Sequence, residues 1–140
     1  MNSQVDKIEI ALNLVNKTSL IVKRLDSTLG SIHGIGLTEY LVLNALSAIP
    51  TQSLRRIDIA ESLGKTASGI TRVLLPMEKI GLIVKDTNAR DARVSLVKIT
   101  DSGVTIFQDA RNTMQQKCSQ VFDNWKDKES KLVINLLNKI

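Results

Sequence analysis

Apolar residues recur along most of this chain at spacings of three, four and seven, which predicts a mainly helical protein. Residues 5–29 carry Ile8, Leu12, Val15, Val22, Leu25 and Leu29 on one stripe, and Ile10, Leu14, Ile21 and Leu25 on a second beside it. A helix of that length spans about 37 Å at 1.5 Å per residue. Being apolar on two sides, it needs two partners: its own domain and something else. Gly30, Gly34 and Gly36 then predict a loop. A second helix is expected over residues 37–49, with Thr38 as N-cap and Pro50 just past its end. A short helix over 54–63 turns Leu54, Ile57, Ile59, Ala60 and Leu63 wholly or partly inward, and Gly64 stops it.

Thr66 is placed to cap a fourth helix running to about residue 80. Its inner stripe is Ile70, Val73, Leu74 and Met77, and its opposite face is the small, polar set Ala67, Ser68, Thr71 and Arg72. Residues 82–85 and 94–99 are β-branched and apolar and flank a polar stretch, which predicts a two-stranded hairpin with a long charged tip. Thr100 then caps a helix to about residue 124. A last helix over 126–140 carries Leu132, Val133, Leu136, Leu137 and Ile140, and has no partner close in sequence. The fold class that follows is mainly α with a small two-stranded β-wing. The short Gly-containing link Leu63-Gly64-Lys65-Thr66 makes the middle a helix-turn-helix followed by a hairpin.

Composition narrows the possibilities. With 43% hydrophobic and 24% charged residues among 140, the chain is globular rather than disordered. Its longest apolar run is residues 40–43, against about 20 needed to span a bilayer, so no membrane partner is expected. The first 17 residues lack the apolar block of a signal peptide. Cys118 and His33 are each the sole representative of their type. That excludes an intrachain disulfide, a cysteine zinc cage and multi-histidine sites, so no metal or cofactor is expected, and a reducing cytoplasm is the expected setting. Cys118 reads as an inert packed thiol, with an intersubunit disulfide as the alternative.

Charge sharpens the picture further. The net charge is +5, of which +4 falls between Thr51 and Lys98. A basic middle flanked by near-neutral ends suits a surface that meets a polyanion; a plain solvated face would look the same. Arg72 is the candidate for a bidentate base contact, or for a phosphate contact or a solvated arginine. Arg55, Arg56 and Lys65 surround the motif as candidate phosphate holders. There is no P-loop, Gly-rich dinucleotide turn or GxSxG elbow, so an enzyme is not expected.

Five segments in order resemble the MarR family of winged-helix transcriptional regulators. They are Leu37-Thr38-Glu39-Tyr40, Ile57-Asp58-Ile59-Ala60-Glu61-Ser62-Leu63-Gly64, Ile70-Thr71-Arg72-Val73-Leu74 with Met77-Glu78-Lys79-Ile80-Gly81-Leu82-Ile83, Arg90-Asp91-Ala92-Arg93, and Ile99-Thr100-Asp101-Ser102-Gly103. The resemblance implies a DNA-binding winged domain over 37–103 and a helical dimerisation region from 1–36 with 104–140. It implies double-stranded DNA and a second copy of the chain as partners, and a homodimeric repressor as the function. Ala67, Ser68, Thr71 and Arg72 would face the major groove, and Thr66 would cap the recognition helix beside a phosphate. Arg93 would enter the minor groove, Asp91 would steady the wing by pairing with an arginine, and Arg90 adds to its basic character.

The resemblance also implies an effector cleft for small aromatic or lipophilic acids. His33 and Tyr40 fall near its expected floor, although a loop histidine and a core tyrosine account for both more simply. A protein-interaction module and a ligand-independent DNA-binding regulator are the alternatives. Two residues depart from the expected recognition helix. Pro76 removes a backbone hydrogen bond and should bend its second half. Gly69 costs about 1 kcal/mol against alanine, and either permits close approach to DNA or is simply tolerated.

Overall fold

The computed structural model describes residues 6–86 and 95–140. The elements are α1 (Lys7–His33), α2 (Leu37–Ser47), β1 (Ser53–Arg55), α3 (Arg56–Ser62), α4 (Ala67–Lys79), β2 (Ile83–Lys85), β3 (Leu96–Ile99), α5 (Asp101–Val121) and α6 (Asp127–Leu137). The helical reading of the sequence holds, with three local corrections.

The first correction concerns α1, which does not break at Gly30. It runs to His33 and ends where Gly34 takes a left-handed φ of 70°. One mid-helix glycine costs about 1 kcal/mol. Against that cost, Leu29 is completely buried next to it, and His33 Nε2 lies 2.6 Å from Thr113 Oγ1 on α5.

The second correction concerns the start of α2. Thr38 is not its cap; the helix begins at Leu37 and its N-cap Gly36 has no side chain to offer. The Leu37 amide instead donates to Asp26 Oδ1 at 2.8 Å, so a carboxylate on α1 caps α2.

The third correction is a strand within the region read as one short helix. Ser53–Arg55 is β1, and only Arg56–Ser62 is helical. β1 pairs antiparallel with β3 (Ser53 with Lys98, Leu54 with Val97, Arg55 with Leu96). β2 pairs with the other edge of β3, Ile83 facing Ile99, so the sheet has three strands in the order β1-β3-β2 rather than two. A three-residue strand is too short to show a period in sequence, and its partner lies some 40 residues away. Shortening the helix also leaves Ile57 46% exposed, on the side away from Ile59 and Ala60.

The core lies under α2, α4 and the sheet. Val42, Leu43, Leu46, Ile59, Ile70, Leu74, Met77, Leu82, Ile83 and Val97 are all buried. Tyr40 and Phe107 stack with ring centroids 5.3 Å apart, bringing α5 onto α2. Thr100 fastens the start of α5: its Oγ1 accepts from the Gly103 amide at 3.0 Å and donates to the Gly81 carbonyl, and its amide donates to the Leu82 carbonyl at 3.1 Å. Gly103 is buried against that same turn, where a Cβ would collide with the Leu82 carbonyl and sit 2.7 Å from Ile99 Cγ1.

The two terminal helices are different. The N-terminal half of α1 is exposed on every side, and α6 buries no residue at all. Phe122 and Trp125, edge to face at 5.0 Å, form the corner between α5 and α6.

The close approach at Gly103 makes a stability prediction. Gly103→Ala should destabilise the fold by about 1–3 kcal/mol despite alanine's better helix propensity, because the collision is with backbone. Chemical denaturation of both proteins measures it; a variant as stable as the parent would show that α5 does not press on the turn after α4.

Candidate nucleic-acid interface

Each side chain at this surface owes its position to the α3–turn–α4 unit. The Lys65 amide donates to the Ala60 carbonyl at 2.8 Å, which closes the turn after α3. Thr66 then caps α4 as the sequence predicted: its Oγ1 accepts from the Gly69 amide at 3.0 Å and lies 3.3 Å from Ser68 Oγ. A Cβ on Gly69 would sit 3.0 Å from that capping hydroxyl, so the missing side chain at 69 leaves room for the cap. The Ala67 and Ser68 amides belong to the helix's open first turn, where partial positive charge collects.

Burial of Ile70, Leu74 and Met77 turns the other face of α4 outward. Ala67, Ser68 and Arg72 are exposed and Thr71 is half-buried. α4 continues for three residues beyond Pro76. A proline there has no N–H to give the Arg72 carbonyl.

The four described basic residues near this face stand in different electrostatic situations. Arg55 is paired with Asp58 through Nε–Oδ2 at 2.8 Å and Nη2–Oδ1 at 2.9 Å. That hydrogen-bonded fork holds the Asp58 carboxyl below its usual range and pushes the Arg55 guanidinium up. Arg56 donates through Nε to Ser95 Oγ at 3.1 Å and through Nη1 to Thr71 Oγ1 at 3.3 Å. Lys65 and Arg72 are exposed and make no ion pair or side-chain hydrogen bond among the described residues. Among the described residues, that leaves two exposed cations without a side-chain bond, Lys65 just before α4 and Arg72 in its second turn, one arginine tied to a carboxylate and one tied to hydroxyls.

The base of the hairpin is secured by Ser53 Oγ, which donates to Asp86 Oδ2 at 3.0 Å, and by the Asp86 amide, which donates to the Leu96 carbonyl at 3.0 Å. Arg90, Asp91 and Arg93 lie outside the described residues.

His33 and Tyr40 occupy structural positions. His33 links α1 to α5 through Thr113, and Tyr40 is buried on Phe107. Burial pushes the Tyr40 hydroxyl's pKa up, partly offset by Arg111, while Cys118 adds a smaller upward effect. Neither lines the groove of about 1110 Å³ that opens between the N-terminal half of α1, the end of α5 and α6. Ile10, Leu14, Ile21, Phe122, Trp125 and Ile134 are among its walls. The second apolar stripe on the first helix foreshadowed one wall, but the groove itself exists only once α6 folds back beside α1. Among the described residues no cluster of three or more His, Cys, Asp or Glu could hold a metal ion, and no helix is long and apolar enough to cross a membrane.

No protein-family model matches the chain. A curated relative, the uncharacterized HTH-type transcriptional regulator YwaE of Bacillus subtilis (strain 168), is 24% identical over 136 residues, covering 97% of this chain and 78% of its own length. Among solved structures, Sco3205, a MarR family transcriptional regulator from Streptomyces coelicolor in complex with DNA, superposes with a TM-score of 0.85 at 20% identity. The match covers 94% of this chain and 83% of that one. A mutant MarR from E. coli complexed with operator DNA gives a TM-score of 0.75 at 20% identity, covering 96% of this chain and 97% of that one. The chain thus has the winged-helix fold of solved MarR family transcriptional regulators over nearly its whole length.

Proposed function

We propose that this chain is a MarR-type transcriptional regulator that binds double-stranded DNA in a sequence-specific way as a homodimer in the cytoplasm. The carrying observation is the two-sided α4. One face is anchored in the core by Ile70, Leu74 and Met77; the other presents a capped polar end with Lys65 and Arg72 unbonded among the described residues. A helix fits the major groove, and residues on its leading turns reach base edges. Arg72 supplies the planar fork that pairs with guanine, and Lys65 a point charge for a phosphate. Arg93, which falls between β2 and β3 in sequence, takes the minor groove in this reading, with Asp91 pairing to an arginine beside it. Two similar folds solved on DNA support the reading.

In this reading, residues 37–103 form the DNA-binding unit, and 1–36 with 104–140 form the dimerisation unit. Monomeric proteins rarely expose contiguous apolar patches beyond a few hundred Å². Here Ile8, Ile10, Leu12 and Val15 on α1, and Leu132 and Ile134 on α6, are each more than half exposed. A second copy of the chain covers them and gives two reading heads related by a two-fold axis. The site they recognise is pseudo-palindromic, with half-sites about 34–36 Å apart. Occupying such a site represses transcription. A small aromatic or lipophilic acid that favoured one separation of the heads would release the duplex.

Selection of bound fragments from random DNA tests the whole reading, since it reports binding, symmetry and half-site spacing together; recovery of no enriched sequence would refute it. On the selected duplex, Arg72→Ala should cost about 1–3 kcal/mol while leaving random DNA nearly unaffected. Arg93→Ala should weaken both equally, and titration of the two variants against both duplexes separates the roles. If the dimer holds six to ten phosphates, affinity should fall about 10³–10⁵-fold between 50 and 200 mM salt. Ile134→Asp should convert the dimer to a folded monomer, because α6 buries nothing within its own chain. Sedimentation velocity reads the mass, and an unchanged dimer would place the interface elsewhere.

A further inference from the structure

We infer that Arg56 is a positioning residue that ties the recognition helix to the root of the hairpin, so that the two arms meet a duplex as one rigid unit. The inference rests on the DNA-binding reading above and gives Arg56 a different role from the phosphate contact expected from sequence.

The geometry is a three-point bridge. The Arg56 amide donates to the Ser95 carbonyl at 3.2 Å, its Nε donates to Ser95 Oγ at 3.1 Å, and its Nη1 donates to Thr71 Oγ1 at 3.3 Å. Ser95 is the residue that leads into β3, and Thr71 sits in the second turn of α4. Among the described residues, no other side chain hydrogen-bonds to both α4 and the run-in to β3. The Thr71 hydroxyl is oriented for this contact. It donates its own proton to the Ala67 carbonyl at 3.0 Å, so it meets Arg56 as an acceptor.

Two consequences follow. Thr71 has no proton left for a base acceptor, so it offers DNA its methyl group, the side-chain feature that suits a thymine methyl. The guanidinium's planar fork is also needed: a lysine would keep the charge but could not span both hydroxyls in the same geometry. Arg55 next door, at the end of β1, makes the contrast, since its fork closes on Asp58 in the first turn of α3 and reaches neither arm.

The test uses the full-length protein, a duplex selected by the wild type and a random duplex, with fluorescence anisotropy from 50 to 200 mM salt. Arg56→Lys and Arg56→Gln should each weaken the selected duplex about tenfold. For Arg56→Lys, the salt slope should stay at the wild-type value, and the random duplex should change less than threefold. In the free protein, both variants should speed amide hydrogen exchange around residues 56 and 95 at least tenfold. Thr71→Val, which keeps the shape and removes the acceptor, should reproduce that acceleration and serves if the arginine variants fold poorly. The proposal is overturned if Arg56→Lys binds like the wild type while Arg56→Gln lowers the salt slope by about one, which is the signature of a phosphate contact. If the wild type binds no duplex, the DNA-binding reading fails while exchange in the free protein still decides the bridge: acceleration supports it and unchanged rates overturn it.

Discussion

Burial of one face of α4 is the constraint on which the other parts depend. Ile70, Leu74 and Met77 are fully or almost fully removed from water, and each such side chain is worth about 1.5–3 kcal/mol of apolar burial. That face cannot rotate outward without losing the centre of the core. The opposite face is therefore held outward, with Ala67, Ser68 and Arg72 exposed and only Thr71 partly covered. Thr66 sets where the helix begins, and the missing side chain at Gly69 leaves the capping hydroxyl its place. Helix position, polar face and open first-turn amides all follow from this one packing arrangement.

The long helices are tied into the same core. Thr100 bonds α5 to the turn after α4, Gly103 lets the α5 backbone press on the Leu82 carbonyl, and Tyr40 stacks on Phe107. At the far side, Asp26 of α1 caps α2 and His33 meets Thr113 of α5. A displacement of α1 or α5 would therefore strain contacts made with α2 and with the turn after α4. The outer half of α1 and all of α6 lack such ties and carry apolar side chains in water. The molecule is densely bonded around α4 and the sheet, and sparsely bonded at its terminal helices.

Electrostatics divides the basic residues in a way that net charge conceals. Arg55 is neutralised by Asp58 at the surface, where an exposed pair contributes little to stability. Arg56 spans Thr71 and Ser95, while Lys65 and Arg72 make no side-chain bond among the described residues. A count of positive charges weights the four equally, and the hydrogen-bond geometry separates them into three kinds.

Local signals in the sequence determined much of this. The caps at Thr66 and Thr100 were legible because a capping side chain bonds an amide three residues on, within one turn of its own helix. The apolar stripes placed α1 and α4, because helical periodicity is a property of neighbouring residues, and the polar face of α4 came with its stripe. Tertiary structure alone decided β1, whose pairing partner is some 40 residues away, and the cap on α2, which comes from Asp26 eleven residues upstream. It alone carried α1 through Gly30 to the His33–Thr113 contact, and it alone turned Arg56 from a surface charge into a bridge. The physical reason is the same in each case: these choices are made by contacts between residues far apart in sequence, and no local pattern records which distant partner will be there.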